Sequence, residues 1–210
     1  AWIKARALTG GRHDELEALR KPFVFRKYLD FGAINAMRDL HAQIRREVAR
    51  RDMADNIKLG PGGIREIEFI AQVFQLIRGG RESALQIRPT QKVLDRLEMR
   101  GVLSAETVGQ LQSAYVFLRR LEHRLQYVED AQTHKLPGSA EDQALIASAM
   151  GFDDYAALLT ELDRHRGHVS RHFEAVFGAQ EADAPKPRAV WQDADRTEEC
   201  HGALSGMGFT

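Results

Sequence analysis

Among the residues of this chain, those best suited to chemistry surround Gly60-Pro61-Gly62-Gly63, with Lys58 before the turn and Arg65, Glu66 and Glu68 after it. Three glycines in four residues remove side chains and permit positive φ, so a ligand can approach the backbone closely. Ile64-Arg65-Glu66-Ile67-Glu68-Phe69 reads as the start of a helix. The first amides of a helix carry partial positive charge and make a ready anion site. Lys58 and Arg65 would add charge-assisted contacts to phosphate oxygens. Glu66 and Glu68 lie in the first turn, where negative charge is favoured, but a spacing of two points them in different directions. The same residues have a plainer reading, a tight corner with dipole-paired glutamates, and on spacing alone that reading is the commoner one. No Gly-Lys-Ser/Thr follows, so the pattern is not a P-loop.

Two further groupings invite chemistry. Glu122 and His123 stand among Arg119, Arg120 and Arg124. Acid–base work there needs a cleft, and the expected arrangement is an ion-pair network such as Glu122 with Arg119. His165, His168 and His172 fall at spacings of three and four, so one helix face could present all three. No acidic or cysteine ligand completes a zinc pattern beside them, and a polar helix face is the expected reading.

These residues need elements to hold them. Phe31, Ile34, Met37, Leu40, Ile44 and Val48 make one apolar stripe, which predicts a helix over 28–51, with Pro22 limiting its extension backwards. Asn56-Ile57-Lys58-Leu59 reads as a short strand and the glycines as a turn. The helix after it runs through Gln75 and stops at Gly79-Gly80. Pro89 suits the first turn of another, ended by Gly101. Ser104 caps a long helix to about residue 130, with Leu111, Tyr115, Leu118, Leu121, Leu125 and Val128 inward. A short helix follows Ser139 and ends at Gly151, and a last one over 154–177 buries Tyr155, Leu158, Leu162, Val169, Phe173 and Val176. Residues 179–188, with Pro185 and Pro187, read as a linker before a further unit. The fold class is therefore mainly α, a helical bundle with a short strand and a glycine turn near its front.

Composition narrows the function classes. Lysine and arginine total 30, aspartate and glutamate total 30, and the formal net charge is zero. That balance argues against a general nucleic-acid binder while leaving room for a local phosphate site. The single cysteine, Cys200, excludes an internal disulfide and a cysteine-rich zinc site, and suits a cytoplasmic protein. No apolar run approaches the ~20 residues that span a bilayer, so no membrane partner is expected. The chain opens on Ala1-Trp2-Ile3-Lys4 without Met and ends as abruptly, and reads as an internal piece of a longer protein.

The segment Ile57-Lys58-Leu59-Gly60-Pro61-Gly62-Gly63-Ile64-Arg65-Glu66-Ile67-Glu68-Phe69 resembles the signature of the glutamine synthetase adenylyltransferase/adenylyl-removing family. Trp2-Ile3-Lys4-Ala5-Arg6, the run from Pro22 to Asp30, Gln75 to Arg81, Leu118 to Gln126, and Gln132-Thr133-His134 match as well. The resemblance covers nearly all of residues 1–178. It implies two polymerase-β-like nucleotidyltransferase halves, one attaching AMP to a tyrosine of glutamine synthetase and one removing it by phosphorolysis to give ADP. Lys58-Leu59 and Glu66-Ile67-Glu68-Phe69 resemble the adenylyl-removing half, whereas Lys-Gln and Asp-Ile-Glu-Phe mark the other; Lys135 departs from the Thr or Arg expected after Gln132-Thr133-His134.

The resemblance implies that residues 1–60 are the edge of the nucleotidyltransferase domain, 61–178 the helical domain, and 179–210 a linker with the start of the next. It further implies Mg²⁺ and ATP or ADP, with phosphate as co-substrate, and glutamine synthetase and a PII signal protein as partners. The metal-binding aspartates would precede Ala1, leaving the isolated piece inactive. Asp193-Ala194-Asp195 has their spelling without the glycine-rich lead, and is read as coincidence. Within the chain, Glu66 and Glu68 are the candidate catalytic residues. Lys4, Arg6, Lys58, Gly60, Gly62, Gly63 and Arg65 are the candidates for binding phosphate or nucleotide, and no metal ligand is expected. A non-catalytic module that docks glutamine synthetase or relays a PII signal is the alternative from another class. The adenylylating half and the related PII uridylyltransferase are further alternatives.

Overall fold

Apolar residues recurring every three or four positions generate the bundle. The structure, a computed structural model, describes residues 2–27, 55–129 and 133–177, together with positions 39, 42, 43 and 46. The expected helix over 28–51 and everything from residue 178 onward, Cys200 and Asp193-Ala194-Asp195 included, lie largely or wholly outside them. After one 3₁₀ turn at Trp2–Lys4, six α-helices are described: α1 (His13–Val24), α2 (Ile64–Arg78), α3 (Thr90–Met99), α4 (Ala105–Glu129), α5 (Ala140–Met150) and α6 (Tyr155–Phe177). All belong to one compact unit, Ala1–Phe177.

The long helix α4 is the centre of the bundle and packs against α2, α3, α5 and α6. Its inward stripe is as the spacing requires, with Leu111, Leu118, Leu121 and Leu125 buried and Tyr115 and Val128 partly so. Ile64, Ile67 and Ile70 of α2 meet it, and Phe69 stacks with Phe173 and packs on Phe177 of α6. Polar caps fix the helix starts: the hydroxyls of Ser104 and Ser139 accept the amides of Thr107 and Asp142, each at 3.1 Å, and Asp154 Oδ1 accepts that of Ala157 at 2.7 Å. Gly101 and Gly151 close α3 and α5 with positive φ.

One element was not expected and one expectation changes. The helix α1 has Pro22 in its last turn, where few backbone bonds remain to be lost, and ends at Val24. The segment 56–59 is no strand: Asn56 makes one antiparallel bridge with Lys135 and the chain then turns. A single bridge suffices because Asn56 Oδ1 accepts the amides of Lys58 (3.0 Å) and Leu59 (2.8 Å), diverting the backbone from a ladder.

Residues 2–27 join the bundle through a small second core of Ile3, Val24 and Phe25 against Leu76 of α2. Arg88 Nε donates to the Ala5 carbonyl at 3.0 Å and its Nη2 reaches Glu17 at 2.6 Å. Gly80 is required here, since a Cβ would lie 2.0 Å from the Arg26 carbonyl oxygen. Among the described residues, no helix is long and apolar enough to cross a membrane.

Candidate functional site

The glycine turn folds onto its own backbone. Gly60 N–H donates to Asn56 O (2.8 Å), Gly63 to Gly60 O (3.0 Å), Ile64 to Ile57 O (3.2 Å), Arg65 to Lys58 O (3.1 Å) and Glu66 to Gly63 O (3.1 Å). The remaining amide, that of Gly62, donates to Glu66 Oε2 at 3.0 Å. The amides that a helix start would offer an anion are therefore engaged within the turn. What approaches the glycines closely is α6 rather than a ligand. A Cβ on Gly62, whose φ is +68°, would lie 2.4 Å from the Arg166 carbonyl oxygen. One on Gly63 would lie 2.8 Å from three carbonyl oxygens of the turn. The Arg166 guanidinium donates to Asn56 O at 2.9 Å, and burial lowers its pKa although Asp163, Asp55 and Glu66 oppose this.

This closed turn aims Lys58 at α4. Lys58 Nζ lies 3.3 Å from Glu122 Oε1, and Glu122 is only 2% exposed. Arg119, one turn earlier, grips Glu122 Oε2, while His134 Nδ1 stands 3.2 Å from Oε1. His134 is there because its carbonyl accepts the Ile57 amide at 2.9 Å, next to the Asn56–Lys135 bridge. Burial first, then Lys58, hold its imidazole below the usual range, and the opposing pull of Glu122 does not restore it.

The polar seam continues along α4. Tyr115, Arg119 and Glu122 are spaced four and three apart, hence on one face. The Tyr115 hydroxyl donates to Glu68 Oε1 at 3.3 Å, and burial, then the Glu68 charge, raise its pKa. Lys4 Nζ lies 3.6 Å from the same Glu68 oxygen and donates to Thr90 Oγ1 at 2.6 Å. Lys4, Glu68, Lys58 and Arg119 are each about one-third exposed at their side chains, so the seam opens to solvent (36%, 30%, 37% and 38%).

The structure thus brings Lys4, Lys58 and Glu68 to one seam. Glu66 is buried and turned back on Gly62 and the α6 side, so the two glutamates do diverge. Arg6 and Arg65 are exposed, outside the ion pairs of the seam, and Gly60, Gly62 and Gly63 shape the turn. Glu122 does pair with Arg119, as the spacing suggests, and it is buried. His123 is exposed.

Two of the three histidines of α6 find separate partners. His165 is buried against the Phe117 ring, 4.6 Å between centroids, with Nε2 3.1 Å from Glu161. His172 pairs with Gln110 of α4 at 2.7 Å. Among the described residues no group of three or more His, Cys, Asp or Glu is placed to hold a metal. Arg166, Tyr115 and Thr90 are contributors that sequence reasoning misses, since each acts across dozens of residues of chain, and His134 is another, meeting Glu122 from beyond the end of α4; no local spacing signals such partners.

A family model described as GlnD PII-uridylyltransferase matches residues 38–177. Over its whole length the chain is 62% identical to the bifunctional glutamine synthetase adenylyltransferase/adenylyl-removing enzyme of Aromatoleum aromaticum, of which it covers 22%. It is also 62% identical over its whole length to the enzyme of the same description from Chromobacterium violaceum, covering 23% of it. With that of Nitrosomonas eutropha it shares 59% identity over 86% of the chain, covering 20% of that protein. The chain spans between a fifth and a quarter of the length of these relatives.

Proposed function

This chain belongs to the family that the GlnD PII-uridylyltransferase model describes, and on that premise we propose that it is a segment of a cytoplasmic enzyme regulating glutamine synthetase by reversible adenylylation, from the half that removes AMP. The identity of 62% over the whole chain to enzymes of that description favours glutamine synthetase over PII as the protein modified. Leu59 and Glu66 within the signature favour the adenylyl-removing half. Residues 1–60 are then the edge of a nucleotidyltransferase domain and 61–178 the helical domain beside it.

The observation that carries the chemistry is the seam, where Lys58, Lys4 and Arg119 gather at partly exposed positions around Glu122 and Glu68. In phosphorolysis an orthophosphate oxygen attacks the phosphorus of the AMP–tyrosine ester. The new P–O bond completes ADP, the P–O bond to tyrosine breaks, and the tyrosine oxygen departs and takes up a proton. Charge grows on phosphoryl oxygens throughout, and fixed cations stabilise it. Lys58 and Lys4 serve that role, joined by Arg65 and Arg6 from exposed positions, while Glu68 orients Lys4 and Glu66 braces the turn that carries Lys58.

The donor set does not suit Mg²⁺: the carboxylates of Glu68 and Glu122 face cations, and Glu66 accepts an amide. On this reading the metal-binding carboxylates belong to the rest of the longer protein, and the 210-residue chain alone releases no ADP.

The test is the full-length protein with adenylylated glutamine synthetase, Mg²⁺ and phosphate. Phosphate-dependent ADP is expected, with kcat/KM lowered roughly 10- to 100-fold in Lys58→Ala, the worth of one or two charge-assisted bonds. AMP transfer from ATP without ADP release would reassign the chain to the adenylylating half. The closed glycine turn favours a second reading, a module that docks glutamine synthetase or a PII-type regulator. Tight binding by a chain whose Lys58→Ala and Glu66→Gln variants leave catalysis intact would support that reading instead.

A further inference from the structure

We propose that Lys58 and Arg119 form a binding site for a phosphate group, with the buried carboxylate of Glu122 fixing the position of both cations. The proposal rests on the reading above and deepens it, since it names the ligand chemistry of this end of the seam and adds Arg119 to it.

Glu122 is 2% exposed, and a carboxylate so deeply placed needs compensation. It has more than enough: one negative charge faces two permanent cations, Lys58 at Oε1 and Arg119 at Oε2, with His134 as a third neighbour. Glu17 and Glu82 also face two cations each, Arg20 with Arg88 and Arg78 with Arg100, but their side chains are 28% and 19% exposed, so water shares the compensation there. The cluster therefore carries a surplus positive charge at a partly desolvated place, where it repels itself until an anion arrives.

The donors are also under-used. Oε1 lies within ion-pair distance of Lys58 and His134 but in hydrogen-bond alignment with neither. Arg119 spends one nitrogen on Glu122, which leaves the rest of its five-donor fork for a second acceptor. Lys58 and Arg119 keep more than a third of their side-chain surface exposed, so a ligand meets them from solvent with Glu122 as the floor beneath. Both cations are tied to one carboxylate and so are close enough to address a single tetrahedral anion. A guanidinium and an ammonium on one carboxylate floor suit a phosphate dianion better than a monoanionic carboxylate.

Glu122 is a positioning residue, while Lys58 and Arg119 touch the ligand. Orthophosphate and the β-phosphate of ADP share this chemistry, and titration separates them. Calorimetry on the full-length protein should show inorganic phosphate binding and ADP competing with it. AMP, if it fails to compete, marks the orthophosphate or β-phosphate position; competition by AMP alone would overturn the assignment. Arg119→Ala should weaken phosphate about tenfold, the loss of a charge-assisted bond of about 1.4 kcal/mol. Arg119→Lys should recover part of that, and Arg164→Ala, an equal loss of charge from an exposed pair, should leave affinity unchanged. Thermal melting checks that each variant is folded; if Arg119→Ala is not, Lys58→Met carries the same comparison.

In turnover, the site predicts a raised KM for phosphate with an unchanged KM for adenylylated glutamine synthetase. Unchanged phosphate affinity in a folded Arg119 or Lys58 variant overturns the site. Arg119-dependent phosphate binding in a protein that makes no ADP would keep the site and remove the adenylyl-removing reading. ADP formation with an unaltered phosphate KM in Arg119→Ala would do the reverse.

Discussion

At Gly62 the backbone turns through φ +68° with the carbonyl of Arg166 where a side chain would begin, 2.4 Å from a built Cβ. Gly62→Ala must strain the φ angle and push α6 away, at a combined cost of about 2–4 kcal/mol. Gly138→Ala meets nothing within 4 Å and should change stability by less than about 0.5 kcal/mol. Urea denaturation of the two variants separates a packing glycine from a ligand cradle. If Gly62→Ala kept full stability while losing phosphate affinity, the turn would be a cradle after all. The distinction was out of reach in the sequence, because a glycine facing a helix and a glycine facing a phosphate are spelled alike.

Between elements, the contact of α4 with α6 carries a pH dependence. His165 is 4% exposed and stacked on Phe117 of α4; burial, then Arg164, lower its pKa beneath the ordinary 6.5, and Glu161 opposes them less strongly. The unfolded chain therefore takes up a proton first as pH falls through 6.5. The stability that His165 contributes is whole above that pH and declines until the folded-state pKa is reached, by at most about 1.4 kcal/mol per pH unit for one group. His134 and His172 shift in the same direction and add to the slope. Melting temperature should drop between pH 7 and pH 5.5, and His165→Gln should flatten that drop even though it lowers stability at pH 7. A wild-type profile that is flat or rises on acidification would mean that these rings are protonated in the fold.

Over the whole molecule, and among the described residues, 2–27 are held by the small core around Leu76, the approach of Arg26 to Gly80, the contacts of Lys4 with Thr90 and Glu68, and the two contacts of Arg88. Local opening here needs much less free energy than unfolding the bundle. Arg88→Ala should speed proteolytic cleavage within 2–27 about five- to tenfold, as loss of roughly 1 kcal/mol of local stability requires. The main melting transition of the bundle should hardly move. Cleavage at the wild-type rate would place the join elsewhere. The join matters for function, because it carries Lys4 to Glu68 and so closes one end of the seam.

The five helices from Ile64 to Phe177, with their caps and buried stripes, were legible along the chain, whereas α1 over His13–Val24 was not. The divergence of Glu66 from Glu68 was legible too, since helical period and cap chemistry act within a few residues. The family was legible as well, in the thirteen residues from Ile57 to Phe69. Tertiary structure alone decided what the glycines face, that the amides of the turn are spent within it, and that Glu122 is buried and adds Lys58 and His134 to its Arg119 partner. Those outcomes depend on which surfaces the packed helices bring together across dozens of residues, and charge or spacing in one dimension holds no record of that.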